Sequence, residues 1–388
     1  MTSQFEALES QPPDGLLGLI DAFRADPRPG KIDLGVGVYR DDAGATPVMR
    51  AVKAAEAALL RDQASKSYLG PEGDTGFVAL LEPLVFGTAG AGLTGIQTPG
   101  GTGALRLGAE LLQRARPDAR VWIGLPTWPN HGPIFEAAGL QVAPHPYYDA
   151  ASGGIDFAGM MAALSGGRAG DVVLLHGSSH NPTGVDLDVE QWSDVIALIA
   201  DRGMIAFVDF AYHGLGHGLG ADAAGLRLCL ERLPEVLVAY SCDKNFGLYR
   251  ERVGALWARG AYAGVTRRLR ENMLSLARVS WSMPPDHGAA IVRMILESPE
   301  LTADWRAELE AMRVRLASLR AALAATHPRL GFVENGSGMF AMLPIDAAAV
   351  ARLRADDGIY MAGSGRINIA GLHAGTVARF AAALAPSL

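Results

Sequence analysis

Short apolar runs alternate with amphipathic helical stretches through the middle of the chain, from about Ile96 to Leu256. This alternation is typical of βαβ units, which build a mainly parallel sheet flanked by helices. After about Leu296, a long helical stretch leads into a glycine-rich, strand-like tail. The 388 residues therefore predict an α/β fold with one large body and a second, smaller domain.

Three of the apolar runs end next to polar side chains. The runs are Val172–Leu175, Ile205–Val208 and Val236–Tyr240. Open parallel sheets bind their ligands at the carboxyl ends of the strands. Asn181, Asp209 and Lys244, which follow these runs, are therefore expected to converge on one site.

The stretch from Thr98 to Arg106 places three glycines and a threonine ahead of a helical pattern. Exposed amides at a helix N-terminus bind phosphate. The stretch lacks the third glycine of a dinucleotide fingerprint, and no glycine-rich run in the sequence ends in Lys-Ser or Lys-Thr as a nucleotide P-loop does. Taken alone, it fits either a phosphate cradle or a purely structural turn.

Lys244 follows an apolar run, where a lysine must reach solvent, form an ion pair or take part in chemistry. Desolvation and nearby cations lower the pKa of a lysine, as imine formation requires. In such a site Asp209 would meet the pyridinium nitrogen of pyridoxal phosphate, and Tyr212 would donate its hydroxyl to the cofactor phenolate. Taken singly, the three residues also fit a surface lysine, a helix cap and a packed core tyrosine.

Nine histidines include two pairs at i,i+4 spacing, His176 with His180 and His213 with His217. Neither pair has the His-Glu-x-x-His form, and both lie in predicted glycine-containing turns, so no metal site is predicted. The sequence also lacks a Gly-x-Ser-x-Gly elbow, which removes the commonest serine-hydrolase signature.

Charge and cysteine content limit the predicted partners and compartment. Lysine and arginine number 34 against 41 aspartates and glutamates, a net charge of −7, and the basic residues are scattered singly. Nucleic acid and membrane are therefore not predicted partners, and small-molecule chemistry is favoured. Cys229 and Cys242 are the two cysteines, which indicates a reducing compartment. With no secretory pattern in Met1–Asp14, we expect a cytoplasmic protein.

Six blocks occur in one order along the chain. They are Gly101–Gly103, Trp128–His131, His180–Gly184, Asp209–Tyr212, Ser241–Tyr249 and Arg252–Gly254. Together they closely resemble the aspartate/aromatic aminotransferases of pyridoxal-phosphate fold type I. The similarity extends from Lys31–Tyr39 to Ser364–Gly371, nearly the whole chain. It implies a homodimer with shared active sites that binds pyridoxal 5'-phosphate and acts on amino acids and 2-oxo acids.

The resemblance also implies how the chain is divided. A large domain with a mainly parallel seven-stranded sheet is expected over residues 47–296, and a smaller α/β domain over residues 16–46 and 297–388. Residues 1–15 would form an N-terminal arm. Four prolines in Met1–Gly30 favour limited regular structure there.

The resemblance implies a role for each matching position. Lys244 would hold the cofactor as an aldimine and then carry the proton between the substrate Cα and the cofactor. Asp209, supported by His131, would keep the pyridine nitrogen protonated, while Tyr212 and Asn181 would bond the phenolic oxygen. The other implied cofactor contacts are Trp128 on the ring, Gly101, Thr102, Gly103, Ser241 and Arg252 at the phosphate, and Tyr68 from the neighbouring subunit.

Substrate contacts are implied in the same way. Arg366 would bind the α-carboxylate as a bidentate fork, together with Asn181 and the backbone at Gly37, beside Trp128. Arg278 matches the arginine that binds a distal carboxylate across the dimer interface, which fits 2-oxoglutarate, glutamate and aspartate. In the aromatic branch this arginine swings aside, so phenylalanine and tyrosine fit as well.

The pocket residues divide between two branches of the family. Val38, Arg40, Thr46 and Thr102 resemble the aspartate branch, whereas Trp281 and Met283 make the far side more apolar. We expect a ping-pong transaminase that moves the amino group of tyrosine, phenylalanine and/or aspartate to 2-oxoglutarate. A dedicated aspartate aminotransferase is the alternative, and a non-catalytic binding protein with this fold is a remote one.

Asp243 departs from the family pattern, which usually has serine just before the lysine. A carboxylate there would repel the cofactor phosphate or stabilise the protonated form of the imine. The alternative is a side chain that points away from the site.

Overall fold

A computed structural model describes residues 3–10 and 15–388, in which fourteen α-helices and thirteen strands are formed. The helices are α1 (Gly15–Ala25), α2 (Arg50–Asp62), α3 (Thr75–Phe86), α4 (Gly100–Ala115), α5 (His131–Ala137), α6 (Phe157–Leu164), α7 (Val189–Arg202), α8 (Leu219–Asp222), α9 (Ala224–Arg232), α10 (Ala263–Ser280), α11 (His287–Glu297), α12 (Pro299–Ala324), α13 (Ala347–Asp357) and α14 (Ala374–Leu384). The strands are β1 (Ile32–Asp33), β2 (Thr94–Pro99), β3 (Arg120–Leu125), β4 (Gln141–Pro146), β5 (Tyr148–Asp149), β6 (Gly154–Ile155), β7 (Val172–His176), β8 (Ile205–Phe210), β9 (Val236–Ser241), β10 (Val253–Arg259), β11 (Phe340–Met342), β12 (Ile359–Tyr360) and β13 (Arg366–Asn368). None of these helices has the length and apolar character that a bilayer crossing requires.

A seven-stranded sheet forms the centre of the molecule, in the order β2-β10-β9-β8-β7-β3-β4. All neighbours pair in parallel except β10, which runs antiparallel to both β2 and β9. All six residues of β9 are buried, because helices cover both faces of the sheet and leave no side for polar residues. The predicted mainly parallel seven-stranded sheet is confirmed.

Helix α7 illustrates how local sequence sets the boundaries of an element. Asp188 accepts from the Gln191 amide and the Gln191 side chain accepts from the Asp188 amide, which completes the predicted capping box. The helix ends at Arg202 and is followed by Gly203, whose left-handed φ of 61° suits glycine. Trp192 and the residues at helical spacing after it are buried, and they pack this helix against the sheet and α9.

Helix α12 is 26 residues long and starts at Pro299, in the first turn, where its missing amide hydrogen costs nothing. Its predicted apolar stripe, from Trp305 to Leu323, is buried. Trp305 stacks on Phe246 with ring centroids 4.4 Å apart, and its indole N–H donates to the Asn245 carbonyl at 2.8 Å. Helix α12 therefore packs against the loop that contains Lys244.

The two ends of the chain pair with each other. Strand β1 lies parallel to β12, and β11 lies antiparallel to β13. The Asn368 side-chain amide donates to the carbonyls of Val36 and Val38, at 2.6 and 2.7 Å. A smaller α/β part built from both chain ends was predicted, and this pairing agrees with it. The bounds 16–46, 47–296 and 297–388 remain predictions.

A second connection joins the segment after β7 to the segment before β11. The Asp186 carboxylate accepts from the amides of Ser179 and His180, and from the Ser337 hydroxyl at 2.5 Å. The Ser337 amide in turn donates to the Gly184 carbonyl at 2.7 Å. The loop that contains Asn181 is thereby fixed against the C-terminal part of the chain.

The N-terminal segment differs from the expectation of limited regular structure. Residues 15–25 form α1, since the four prolines of Met1–Gly30 all lie outside this stretch and Leu19 supplies it with a buried contact. Part of the predicted arm at 1–15, namely residues 1, 2 and 11–14, lies outside the described residues.

Candidate active site

One strand-loop-strand connection carries three of the predicted site residues. Ser241 ends β9, Lys244 follows three residues later, and Arg252 immediately precedes β10. Because β10 runs antiparallel, its beginning lies at the same sheet edge as the carboxyl ends of the parallel strands, with Gly254 opposite Ser241. The reversal of a single strand thus brings Arg252 to the side of the sheet where Lys244 lies.

A cavity at this edge confirms the expected convergence. Asp209 and Lys244 both line it, although they follow different strands. Of the predicted site residues, those in its wall are Gly101, Thr102, Trp128, Asn181, Asp209, Tyr212, Ser241 and Lys244. Gly103 and Arg252 line an adjoining surface groove, which shares Thr102 with the cavity.

Asp209 is held by a buried histidine. It lies one residue before the end of β8, opposite Ala239 of β9. His131 Nε2 lies 3.0 Å from an Asp209 carboxylate oxygen, and His131 Nδ1 lies 2.7 Å from the Thr127 hydroxyl. Burial raises the pKa of Asp209, but the His131 hydrogen bond and nearby cationic groups outweigh burial and hold the pKa below its ordinary value. The carboxylate therefore stays charged inside the protein.

Lys244 points into the cavity, with its ammonium 5.3 Å from the centre of the Tyr212 ring. Burial lowers the pKa of this lysine; the Asp243 and Asp209 carboxylates raise it and Arg252 lowers it, with a net decrease. Burial also raises the pKa of Tyr212, with the Asp209 charge acting in the same direction. The Lys244 amine therefore loses its proton more easily than a free lysine does. The Tyr212 phenol next to it stays protonated at neutral pH.

A series of polar contacts leads from Tyr212 to Arg366. The Asn181 side-chain amide donates to the Tyr212 hydroxyl at 3.4 Å, and Arg366 Nη1 donates to the Asn181 oxygen at 3.5 Å. The Arg366 guanidinium lies 4.8 Å from the centre of the Phe340 ring, and its Nε is buried without a hydrogen-bond partner among the described residues. An unpartnered N–H of a fixed guanidinium beside a cavity suits a carboxylate ligand.

Two glycines after β1, Gly35 and Gly37, lie close to residues of the candidate site. Arg366 Nη2 donates to the carbonyl of Gly35 at 2.7 Å. The predicted contact between the Gly37 backbone and the substrate stays a prediction. A side chain at Gly37 would come within 3.0 Å of the Phe340 ring, so glycine is needed there for close packing. Gly35 was missed, although the Gly-Val-Gly run that contains both residues was part of the matching segment.

The first turn of α4 faces the groove that contains Arg252. Pro99 occupies the N-cap position and has no side-chain hydrogen-bonding group, so the first-turn amides are left for a ligand. Gly100 has a φ of +70°, and a side chain there would come within 2.5 Å of the Arg252 guanidinium. These glycines therefore allow an arginine and a helix N-terminus to meet, an arrangement that suits phosphate.

Asp243 lines the cavity beside Lys244 and does not point away from the site. Its Oδ2 accepts from Arg252 Nη1 at 2.5 Å, and its side chain is only 8% exposed. Its Oδ1 has no hydrogen-bond partner within the described part of the chain. The alternative of a side chain that points away is wrong.

Two predicted residues are not brought to the cavity within one chain. Tyr68 is 94% exposed, and Arg278, near the end of α10, is exposed and bonded to the Ser282 hydroxyl. Both roles were predicted across an interface between two subunits, so they stay predictions.

His176 was missed as a site residue. It ends β7, opposite Asp209 of β8, and does not lie in the predicted turn. Burial lowers its pKa to about 3, with His131 adding to the effect. His131, His176 and Asp209 bring three ligand atoms within 4.8 Å of one another, but the acid and His131 already form a hydrogen bond. Its position at the end of the apolar run Val172–Leu175, next to the strand that carries Asp209, could have indicated that it belongs to the site.

Comparison with known proteins decides the family. Residues 29–384 match the model of the aminotransferases of class I and II. The chain belongs to this family. This aminotransferase is 54% identical to a tyrosine aminotransferase of Rhizobium meliloti, over 97% of the chain and 98% of that protein. It is 44% identical to an aspartate aminotransferase of Salmonella typhi, over 95% and 96% of the two chains.

Among solved structures, the aminotransferase resembles an aromatic-amino-acid aminotransferase of Burkholderia pseudomallei covalently bound to pyridoxal phosphate. The TM-score is 0.96 and the identity 40%, with both chains fully covered. The predicted family and the predicted fold type I are confirmed.

Proposed function

We propose that this aminotransferase uses pyridoxal phosphate to move the amino group of an aromatic L-amino acid, of aspartate or of both to 2-oxoglutarate, in two half-reactions. The observation that carries the proposal is the continuous series of contacts from Lys244 through Tyr212 and Asn181 to Arg366. It connects a cavity-lining amine of lowered pKa to a guanidinium suited to a carboxylate, which contacts the cavity wall at Asn181, as an amino-acid substrate requires.

The residues present fit the cofactor. Arg252, Ser241, Thr102 and the first-turn amides of α4 would hold its phosphate, and the charged Asp209 would meet the ring nitrogen. When bound, pyridoxal phosphate supplies an aldehyde that condenses with amines and a ring that takes up electrons from the substrate Cα–H bond. Tyr212 and Asn181 would donate to its phenolic oxygen from their positions beside Lys244.

The side chains of this protein would then divide the work. Arg366 would bind the substrate α-carboxylate and so orient the Cα–H bond toward Lys244. The neutral Lys244 amine would take the Cα proton at Nζ and deliver it to the cofactor, and the ammonium would thereby become a neutral amine again. His131 would keep Asp209 charged and oriented throughout.

The aromatic branch is supported by the side chains around the groove and by the relatives. Trp281 lies beside Arg252 and adds apolar surface, and a tyrosine aminotransferase stands among the similar proteins. A dedicated aspartate aminotransferase is the second candidate, supported by the presence of Arg278 and by the Salmonella typhi relative. In both cases, the expected assembly is a homodimer in the cytoplasm, with Tyr68 and Arg278 acting on the partner's site.

The test of substrate class is the absorbance of the cofactor-loaded protein when single amino acids are added without a 2-oxo acid. We expect tyrosine, phenylalanine, aspartate and glutamate each to convert the bound cofactor to its pyridoxamine form. Conversion by aspartate and glutamate alone would favour the dedicated aspartate aminotransferase. A Lys244→Ala variant is the matched control, and absence of conversion by any of the four in the wild type would contradict the proposal.

The test of the shared site is subunit mixing. Lys244→Ala and Arg278→Ala subunits, each poorly active alone toward aspartate, should regain activity when mixed, because one site of the mixed dimer then contains both intact residues. Lack of recovery after verified subunit exchange would contradict the role of Arg278 across the interface.

A further inference from the structure

The groove beside the cavity contains arginines that are already neutralised. Arg252 pairs with Asp243 at 2.5 Å, and Arg106 pairs with Glu110 at 2.7 Å. Both arginines line the groove together with Thr102 and Gly103. A phosphate that enters this groove therefore meets two ion pairs in place of two free cations.

The two ion pairs differ in what surrounds them. Glu110 is accessible to solvent, so water screens its charge. The Asp243 side chain is only 8% exposed, and its Oδ1 has no hydrogen-bond partner among the described residues. The two arginines are about equally exposed, at 39% and 38%, so the difference lies in the acids, and the Asp243 carboxylate is screened less by water than Glu110.

We propose that Asp243 competes with the cofactor phosphate for the Arg252 guanidinium and thereby weakens the retention of pyridoxal phosphate. This inference rests on the proposed function, since it assumes that the phosphate is bound at Arg252. Asp243 acts as a positioning residue here: it determines where the guanidinium points and how much positive charge it offers.

The sign of the effect follows from charge. A phosphate monoester carries about −1.5 to −2 charges at pH 7, so an added carboxylate beside its site repels it. Arg252 Nη1 also donates to the Tyr249 carbonyl at 3.1 Å, which holds the guanidinium in place when Asp243 is neutral. The Asp243 amide donates to Ser241 Oγ at 3.2 Å, and this backbone bond survives a change of side chain.

Asp243 has a second route to the cofactor, through Lys244. The two residues are adjacent, and the carboxylate favours the charged form of the lysine. A change that acts through Lys244 alters the binding of every pyridoxal compound. A change that acts through Arg252 alters only the binding of compounds that carry a phosphate. Pyridoxal, which has the aldehyde but no phosphate, therefore separates the two routes.

The experiment compares equilibrium dissociation constants for pyridoxal phosphate and pyridoxal, measured by dialysis of the reconstituted protein with absorbance detection. Asp243→Asn keeps the shape and still accepts a hydrogen bond from Arg252. It should bind pyridoxal phosphate about five to tenfold more tightly than the wild type. Pyridoxal affinity should change by less than about twofold. Glu251→Gln removes a neighbouring negative charge but leaves Asp243 in place, and it should match the wild type.

A second measurement is independent of the aldehyde. Inorganic phosphate should raise the melting temperature of Asp243→Asn more than that of the wild type or of Glu251→Gln. Asp243→Ser provides the same comparisons if the asparagine variant folds poorly.

Three outcomes would overturn the inference. They are unchanged or weaker binding of pyridoxal phosphate by both Asp243 variants, equal shifts for pyridoxal and pyridoxal phosphate, and an equal gain in Glu251→Gln. Suppose that any one of these outcomes is found, and that the wild type still binds pyridoxal phosphate and completes the half-reaction. The proposed function then stands and only the inference fails. If no form of the protein binds pyridoxal phosphate, the proposed function fails first.

Discussion

Lys244 shows how one residue combines opposing influences. Burial favours its neutral amine, whereas the carboxylates of Asp243 and Asp209 favour the ammonium. The net effect lowers its pKa, so the neutral form becomes available at a lower pH than in free lysine. Lys244 is therefore a more reactive amine than a free lysine, and the two carboxylates offset part of the effect of burial.

Replacement of Lys244 by alanine should abolish transamination and lower kcat by at least about 10³-fold, because the base for the Cα proton is removed. Borohydride treatment of the loaded wild type should leave a pyridoxyl group on the peptide that contains residue 244, and the variant should lack it. Peptide mass spectrometry is the measurement. Lys53→Ala, an exposed lysine paired with Glu56, is the control and should behave as the wild type.

Arg366→Lys should raise KM for every amino-acid substrate and lower kcat/KM by about 10²-fold or more, since a lysine replaces a two-pronged donor with a single point charge. The bond to the Gly35 carbonyl would also be weakened. Steady-state kinetics with two different donors is the measurement. Arg354→Lys, on the exposed face of α13, should leave both constants unchanged; an equal loss there would point to a general charge effect.

Which site residues were predictable depended on their distance from a recognisable strand end. Asp209 and Lys244 follow apolar runs directly, so their convergence could be derived from parallel-sheet geometry. The Asp243–Arg252 pair could not, because it depends on how two side chains orient across a strand-loop-strand connection. The bond from Arg366 to the Gly35 carbonyl could not be predicted either, because it joins residues 331 positions apart in the sequence.

At the scale of elements, four could be predicted from the sequence, namely the strands β7, β8 and β9 and the helix α12. The spacing of their apolar residues matches the residues that the fold buries. Helix α1 was obscured by the prolines on either side of it. Connections between distant segments had no local signal. The bond between Ser337 and Asp186 joins the loop after β7 to the segment before β11, and only the folded chain brings them together.

Ser337→Ala should lower the free energy of unfolding by about 1–2 kcal/mol, because a buried hydrogen bond to a carboxylate is lost. Urea unfolding followed by circular dichroism is the measurement. Ser318→Ala removes a hydroxyl that bonds the Val314 carbonyl on an exposed helix face, and it should change the stability by less than about 0.5 kcal/mol. Equal losses in both variants would contradict a special role for the Ser337 contact.

At the scale of the whole molecule, buried histidines govern the response to acid. Burial lowers the pKa of four histidines. In two of them the pKa falls to about 3 (His176) and about 4 (His213). The other two are His145 and His180. The unfolded chain takes up these protons near pH 6.5 whereas the folded chain does not, so stability decreases as pH falls below about 6.5.

The free energy of unfolding should therefore decrease by up to about 1.4 kcal/mol per pH unit for each of His176, His180 and His213 between about pH 6 and pH 4.5. Urea midpoints across this range measure the slope. His213→Asn should lower the overall stability but flatten the slope by about one proton. His287→Asn, at an exposed position, should leave the slope unaltered, and an identical slope in all three proteins would rule out the explanation.

The pairing of β1 with β12 means that an early segment of the protein has its partner almost at the end of the chain. Ribosomes add roughly 5–20 residues per second. On the order of 15–65 s therefore pass between the synthesis of the apolar stretch at Ile32 and Leu34 and that of residues 359–368. Until then the stretch lacks its strand partner, and we expect it to be open to contact with chaperones or other nascent chains. A stalled or truncated product lacks Arg366 and its bond to Gly35, so biosynthesis delivers the substrate-binding arginine only with the last part of the chain.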